Sequence, residues 1–422
     1  MPTTRQKQKE PVSDVDRFEK RQVAARAFSP AAPIDEERLF AGRAAQVAQV
    51  VDVINQRGQH AVIFGERGVG KTSLANIISA KLAHENNEPL IATRINCETK
   101  DTHASLWRKV FQQIDLQQRV RVIGFTQEER FKPFSVADEL RRRVSADDVR
   151  RLFTVLGVDR STLLLVILDE FDRITDKATK TAMADTIKTL SDHATPVTII
   201  LVGVGDSVDE LIAEHHSIER ALVQIHMPRM SSPELRDILA RALSRAKLAI
   251  RPDAADTACS LSRGLPHYTH LLGLYAAREA IDRDQRIISA NHIEKAIQSA
   301  LGGAQQSIQN AYYQATSSAR NGRLHSQVLL ACAMSKTDEL GYFSPADIRE
   351  PLRAVSGKSY QIPGFSRYLG EFCDSNRGSV LQKSGILYRH KFRFSNPLMQ
   401  PYVLMQGLAN GWIGMSLLER SA

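Results

Sequence analysis

Short apolar runs alternate with helical stripes over the first half of the chain, and helical stripes dominate the second. His60-Ala61-Val62-Ile63-Phe64 and residues 90–97, 163–168 and 197–202 are runs of strand length. They lack the strict polar alternation of a sheet with one wet face, which predicts strands buried on both sides of a parallel sheet. Between them, Val47, Val50, Val51 and Ile54 recur at helical spacing, as do Leu106, Val110, Phe111 and Ile114. A last short strand is predicted at 221–225. Strands alternating with helices predict the α/β class, an αβα sandwich on a parallel sheet.

From Ser231 onward the period changes. Ser231 with Glu234 three residues later is a capping box, and Leu235, Ile238, Leu239, Ala242 and Leu243 keep a helical spacing behind it. Further helices are predicted at about 253–262, 266–283 and 290–301, with Gly264 closing one, Pro266 opening the next and Ser289 capping the last. From about 323 three more helices are readable, the third carrying Phe365, Tyr368, Leu369 and Phe372. Val380-Leu381 and residues 386–394 then read as a hairpin. Three helices followed by a hairpin outline a winged helix. The expected organisation is a mobile N-terminal arm (1–36), a sheet domain (37–228), a helical domain (229–305), a linker (306–322), a winged-helix domain (323–405) and a C-terminal tail (406–422).

The turn after the first strand carries the densest chemistry. Gly65-Glu66-Arg67-Gly68-Val69-Gly70-Lys71-Thr72 reads G-x-x-x-x-G-K-[ST], a phosphate-binding P-loop between a strand and a helix. Gly65, Gly68 and Gly70 let the backbone bend and approach an anion. Its N–H groups then point inward at the positive end of a helix dipole. Lys71 adds a full charge for the β- and γ-phosphates, and the Thr72 hydroxyl is placed to ligate Mg²⁺. Glu66, Arg67, Val69 and Ser73 complete the predicted nucleotide-binding set.

A second constellation closes the run 163–168 with Asp169-Glu170. Ligands bind beyond the carboxyl ends of strands in open α/β sheets. Asp169 therefore fits a holder of Mg²⁺ through water, and Glu170 a base that orients the attacking water. Asp206 or Ser207, after the run 197–204, would lie beside the γ-phosphate if that strand neighbours the P-loop strand.

Charge and composition narrow the partners. The 422 residues carry a formal net charge of +9, and residues 320–422 hold 13 Lys and Arg against 7 Asp and Glu. The excess lies in the predicted winged helix, which suits duplex DNA, with Arg367, Arg389, Lys391 and Arg393 as the phosphate contacts. Cys97, Cys259, Cys332 and Cys373 are scattered without a C-x-x-C, as expected for reduced thiols in the cytoplasm. Residues 1–10 are polar, so no secretory signal is expected, and the longest aliphatic run is far too short to span a membrane.

In the order of these parts the chain resembles the AAA+ ATPases, specifically the origin-recognition and replication-initiator clade of bacteria and archaea. That resemblance implies a P-loop domain, a helical lid and a C-terminal winged helix, with ATP and Mg²⁺ as cofactors and a homo-oligomer as the working form. It places Arg43, in Phe40-Ala41-Gly42-Arg43, in a segment that lies against the adenine. Asn96 resembles the polar residue that holds the glutamate in an inactive pose. Arg220 falls at an arginine-finger position, the alternative being a surface ion pair with Glu219 or Asp209. Two departures accompany the match: Asp206 or Ser207 stands where an asparagine or threonine is common, and His267 stands where a lid arginine meets phosphate. Both imply hydrolysis that is slow or stimulated by DNA or a partner. Gly264-Leu265-Pro266-His267-Tyr268 and residues 394–398 also resemble the STAND signalling ATPases. The alternative reading is therefore a nucleotide switch acting on protein partners, as in phage defence or mobile-element targeting.

Overall fold

The computed structural model describes residues 14–85, 90–123, 136–140, 143–156, 163–205, 218–317, 322–385 and 389–421. The chain divides into two compact units, Pro33–Arg229 and a second that joins Met1–Ala32 to Met230–Ala422. The first described helix, α1 (Asp14–Ala27), belongs to the second unit.

In Pro33–Arg229, strands β1 (His60–Gly65), β2 (Leu90–Asn96), β3 (Leu163–Asp169), β4 (Val197–Val204) and β5 (Leu222–His226) form one sheet in the order β2-β3-β4-β1-β5. Every pairing is parallel. Helix α2 (Ala44–Asn55) precedes β1; parallel strands need crossovers, which here run through α3 (Lys71–Glu85), α4 (His103–Ile123), α5 (Ala146–Leu156) and α6 (Lys177–Asp192). The alternation of strand side chains sorts the core into two faces. Leu164, Val166 and Leu168 join one cluster with Trp107, Phe111, Phe153 and Ile187 of α4, α5 and α6. Leu165 and Ile167, equally buried, point the other way. Each such side chain contributes about 1.5–3 kcal/mol when fully buried, so the apolar run 163–168 anchors the sheet.

The order matters for the site. β4 lies between β1 and β3, and the register pairs Gly65 with Val204 and Asn96 with Asp169. All the carboxyl ends therefore emerge at one edge of the sheet.

The second unit continues with α7 (Ser232–Arg245), β6 (Ala249–Ile250), α8 (Pro252–Ser262), α9 (Pro266–Asp282), β7 (Ile287–Ile288) and α10 (Ala290–Gly302). The capping box at Ser231 is formed: its backbone N–H donates to Glu234 Oε2 at 2.8 Å. Next come α11 (Gln306–Thr316), α12 (Gly322–Met334), α13 (Arg349–Ser356), α14 (Ile362–Glu371), an antiparallel hairpin of β8 (Leu381–Ser384) and β9 (Lys391–Phe394), α15 (Met399–Ala409) and α16 (Met415–Ser421). Phe343 bridges to Phe392 and adds a short third edge to the hairpin.

Three segments differ from the expected organisation. The N-terminal arm contains α1, packed on α7 and α9. Gly273 of α9 makes room for Phe28, since a Cβ there would lie 2.4 Å from the Phe28 ring. Arg17 adds an ion pair to Asp284 at 2.7 Å. The linker at 306–322 contains α11, which buries Ile308 and Ala315 and sets Tyr312 edge-on to Tyr402. The tail at 406–422 continues α15 and forms α16, with Ile413 and Leu418 buried. In each case a few apolar contacts hold a segment whose sequence is mostly polar or lacks a full stripe. No helix among the described residues is long and apolar enough to cross a membrane.

Candidate functional site

The P-loop forms the turn between β1 and α3, and its three glycines take positive φ: 144° at Gly65, 87° at Gly68 and 98° at Gly70. These values favour glycine because a Cβ would clash with the local backbone. At Gly65 space matters too, because a Cβ would lie 2.5 Å from the Met227 carbonyl oxygen. Lys71 begins α3 and is buried; its Nζ donates to the carbonyls of Gly65 at 2.9 Å and Glu66 at 2.8 Å. Burial pushes its pKa down to about 8, and the nearby carboxylates of Asp172, Asp169 and Glu66 oppose the shift.

The loop is braced by two arginines. Arg43, nearly fully buried and in the left-handed region at φ 62°, donates through Nη2 to the Val69 carbonyl at 2.9 Å and the Pro228 carbonyl at 2.6 Å. Its guanidinium thus holds the backbone of the loop. Arg229 grips Glu66 in a two-point ion pair, Nε to Oε2 at 2.6 Å and Nη2 to Oε1 at 2.9 Å. Arg67 is exposed at the loop, Thr72 is half-buried in the first turn of α3, and Ser73 Oγ accepts from the Ile34 N–H at 3.1 Å.

Asp169 ends β3 with 3% of its surface exposed. Its Oδ1 accepts from the Glu170 N–H at 2.9 Å and its Oδ2 from Arg94 Nη2 at 2.7 Å. Glu170 sits in the left-handed region at φ 56°, a strained placement of the kind that clusters at functional sites. Its carboxylate is half exposed and paired with Arg173 at 2.8 Å. Asn96 lies opposite Asp169 in the register, and its Oδ1 accepts from Arg94 at 3.5 Å. The Asn96 amide is therefore engaged on the Arg94 side, while Glu170 is held by Arg173. Asp172 Oδ1 accepts from the Val204 N–H at 2.8 Å and ties the end of β4 to the acidic turn.

The chain thus brings the P-loop, Lys71, Thr72, Asp169, Glu170 and Asn96 to one edge of one sheet within one unit. A cradle of positive-φ glycines, a buried lysine, a hydroxyl and a buried carboxylate suit a nucleotide phosphate with Mg²⁺. Among the described residues there is no group of three or more His, Cys, Asp or Glu side chains able to hold a metal by themselves. A Mg²⁺ site of this kind does not require one, because phosphate oxygens supply the remaining ligands.

Of the remaining expected residues, Arg220 is exposed on the turn before β5. Asp206, with Ser207 and Asp209, lies outside the described residues. His267 opens α9 in the second unit, where its Nδ1 donates to the Pro30 carbonyl at 2.7 Å and burial pushes its pKa down. In the C-terminal region Lys391 is held by Asp338 at 2.9 Å, Arg393 lies over the Tyr342 ring at 4.7 Å, Arg367 lies over the Tyr368 ring at 4.6 Å, and Arg389 is exposed. Arg94, Asp172 and Arg229 are the residues that reading the sequence missed. The signal for Arg94 was a lone charge inside an apolar strand, and for Asp172 a third acid two positions beyond Glu170. Arg229 gave no local signal.

Comparison with protein families places an AAA domain at residues 54–212. The fold is similar to that of a Walker-type ATPase of Pyrococcus abyssi, with a TM-score of 0.52 at 16% identity, covering 88% of this chain and 98% of that one. Weaker similarities reach the Aeropyrum pernix ORC2 protein, solved as ADPNP–ADP complexes, with a TM-score of 0.46 at 14% identity over 90% of this chain and 100% of that one. The Aeropyrum pernix ORC1 protein in complex with DNA gives a TM-score of 0.47 at 15% identity over 93% and 97%. No curated protein sequence matches. Residues 54–212 thus match an AAA domain, and they lie in a unit with a parallel-sheet P-loop fold.

Proposed function

We propose that the protein binds and hydrolyses ATP at the edge formed by β1, β3 and α3, and that nucleotide-dependent assembly lets it act on DNA or on DNA-bound partners. The observation that carries this reading is the meeting of the P-loop at 65–72, after β1, with Asp169 and Glu170, at the end of β3, on the two sides of β4 at one edge of one unit. In it the loop N–H groups and Lys71 bind the β- and γ-phosphates, and Arg43 keeps the loop carbonyls turned away from them. Thr72 and Asp169 hold Mg²⁺, which supplies charge neutralisation on the phosphates when bound. Glu170 orients the attacking water once its carboxylate leaves Arg173. An arginine finger from a neighbouring copy, for which Arg220 is the candidate, contributes about 10³–10⁵ in rate where it operates. The basic C-terminal region, read as a winged helix, supplies the DNA contact.

A second reading, a switch that acts on protein partners, is favoured by one observation. Lys391, one of the four predicted phosphate contacts, is already paired with Asp338. The two readings separate in one experiment: ATP turnover and assembly mass measured with and without duplex DNA. The DNA-linked reading expects turnover or mass to change with DNA. ATP-dependent assembly indifferent to DNA assigns the protein to the switch class.

A further inference from the structure

Arg94 is the only charged residue in β2, an edge strand of the sheet, and it points toward the acid of the neighbouring strand. Residues 94 and 96 share a face of β2, and Asn96 is in register with Asp169. From that position the guanidinium reaches three side chains: Asp169 Oδ2 at 2.7 Å, Asn96 Oδ1 at 3.5 Å and Asn76 Oδ1 on α3. The remaining oxygen of Asp169 accepts from the Glu170 N–H. Both carboxylate oxygens are therefore engaged by the protein itself.

We propose that Arg94 and a divalent cation compete for the Asp169 carboxylate, so that Arg94 sets how much Mg²⁺ the site requires. This rests on the reading of the P-loop edge as a nucleotide–Mg²⁺ site. The geometry gives the competition a direction. The Asp169 side chain is 4% exposed and fixed at the end of a buried strand, whereas the Arg94 side chain is 29% exposed and ends a long stem. When the two part, the arginine is the group with room to move. A guanidinium and a doubly charged cation on one carboxylate repel each other, so binding of one weakens the other. Linkage makes this reciprocal: the cation that enters releases Arg94 from Asp169, and any contact that tightens Arg94 on Asp169 raises the cation concentration needed. Asn76 is such a contact, because it holds the guanidinium from the P-loop helix. The site thus carries its own positive charge and exchanges it for the metal.

The test uses the full chain and a fluorescent ATP analogue, titrated over a range of Mg²⁺ concentrations. In R94Q the Mg²⁺ concentration at half-effect should fall about tenfold, with R94K returning toward the unsubstituted protein. N76A keeps the charge and loosens its hold, and should lower the midpoint by about twofold or more. It decides the matter if R94Q does not fold. An unchanged midpoint in R94Q, or in N76A where R94Q is unfolded, overturns the proposal and leaves Arg94 as a structural partner of Asp169. Absence of analogue binding by the unsubstituted chain at every Mg²⁺ concentration is a different failure: it removes the nucleotide site itself.

Discussion

Lys71 offers the most direct prediction at the scale of single residues. Burial holds its pKa near 8, below the usual lysine range, against the pull of Asp172, Asp169 and Glu66. Phosphate binding needs the ammonium form. ATP affinity should therefore be level below about pH 7 and weaken by up to about tenfold per unit once pH passes the Lys71 pKa. Stability moves the opposite way. The unfolded chain binds the Lys71 proton more tightly, so this group makes the fold more stable as pH rises from about 8 toward the unfolded value. Equilibrium ATP titrations across this range check it, and an affinity that stays level to about pH 9.5 contradicts it. Arg43 gives a second prediction. R43A frees the Val69 and Pro228 carbonyls from a buried charged donor and should cost about 1.5–3 kcal/mol of stability in a urea melt, with weaker ATP binding. The motif residues of the site were legible because their chemistry is local: eight consecutive positions make the loop, and two make the acidic end of β3. The Arg43 contact with the loop was not, since the same Gly42-Arg43 pair reads equally well as an adenine-facing turn. Arg94 and Arg229 meet partners 75 and 163 positions away, which no window along the chain brings together.

Elements were legible where burial was continuous. The runs that became β1, β3 and β4 are apolar throughout because a parallel sheet covers both faces of its strands. α1 and α11 were missed because each offers the core only a few side chains. Ala24 and Ala27 are buried in α1, and Ile308 and Ala315 in α11. Such helices persist through packing rather than through a strong stripe. The fit of α1 on α9 is tight enough to test. Gly273→Ala gains up to about 1 kcal/mol of helix propensity. The same Cβ meets the Phe28 ring at 2.4 Å and Leu239 at 2.9 Å. Overpacking of this kind costs about 1–3 kcal/mol, so the clash outweighs the gain. G273A should unfold at lower urea, and the loss it causes should be smaller when it is made in an F28A background than in the unsubstituted chain. A more stable G273A contradicts the packing described for α1.

At the scale of the whole molecule, the order of sheet unit, helices and C-terminal hairpin was legible, because each change of hydrophobic period marks a change of architecture. The partner was less so, since net charge places cations in a region without saying which are free. Lys391 is paired with Asp338 and Arg393 bonds to Gln382 at 3.1 Å, whereas Arg389 is exposed. If DNA is the partner, R389A should weaken duplex binding across sequences and reduce the salt dependence by about one unit of slope. An unchanged slope removes Arg389 from the interface. The central claim, that the edge of the sheet binds and hydrolyses ATP, is tested most directly by measuring ATP binding and turnover side by side in the unsubstituted chain, K71A and E170Q. The account predicts that K71A loses binding, and that E170Q binds ATP as the unsubstituted chain does while turning it over at least about a hundredfold more slowly. Tight ATP binding by K71A, or undiminished turnover by E170Q, would contradict it.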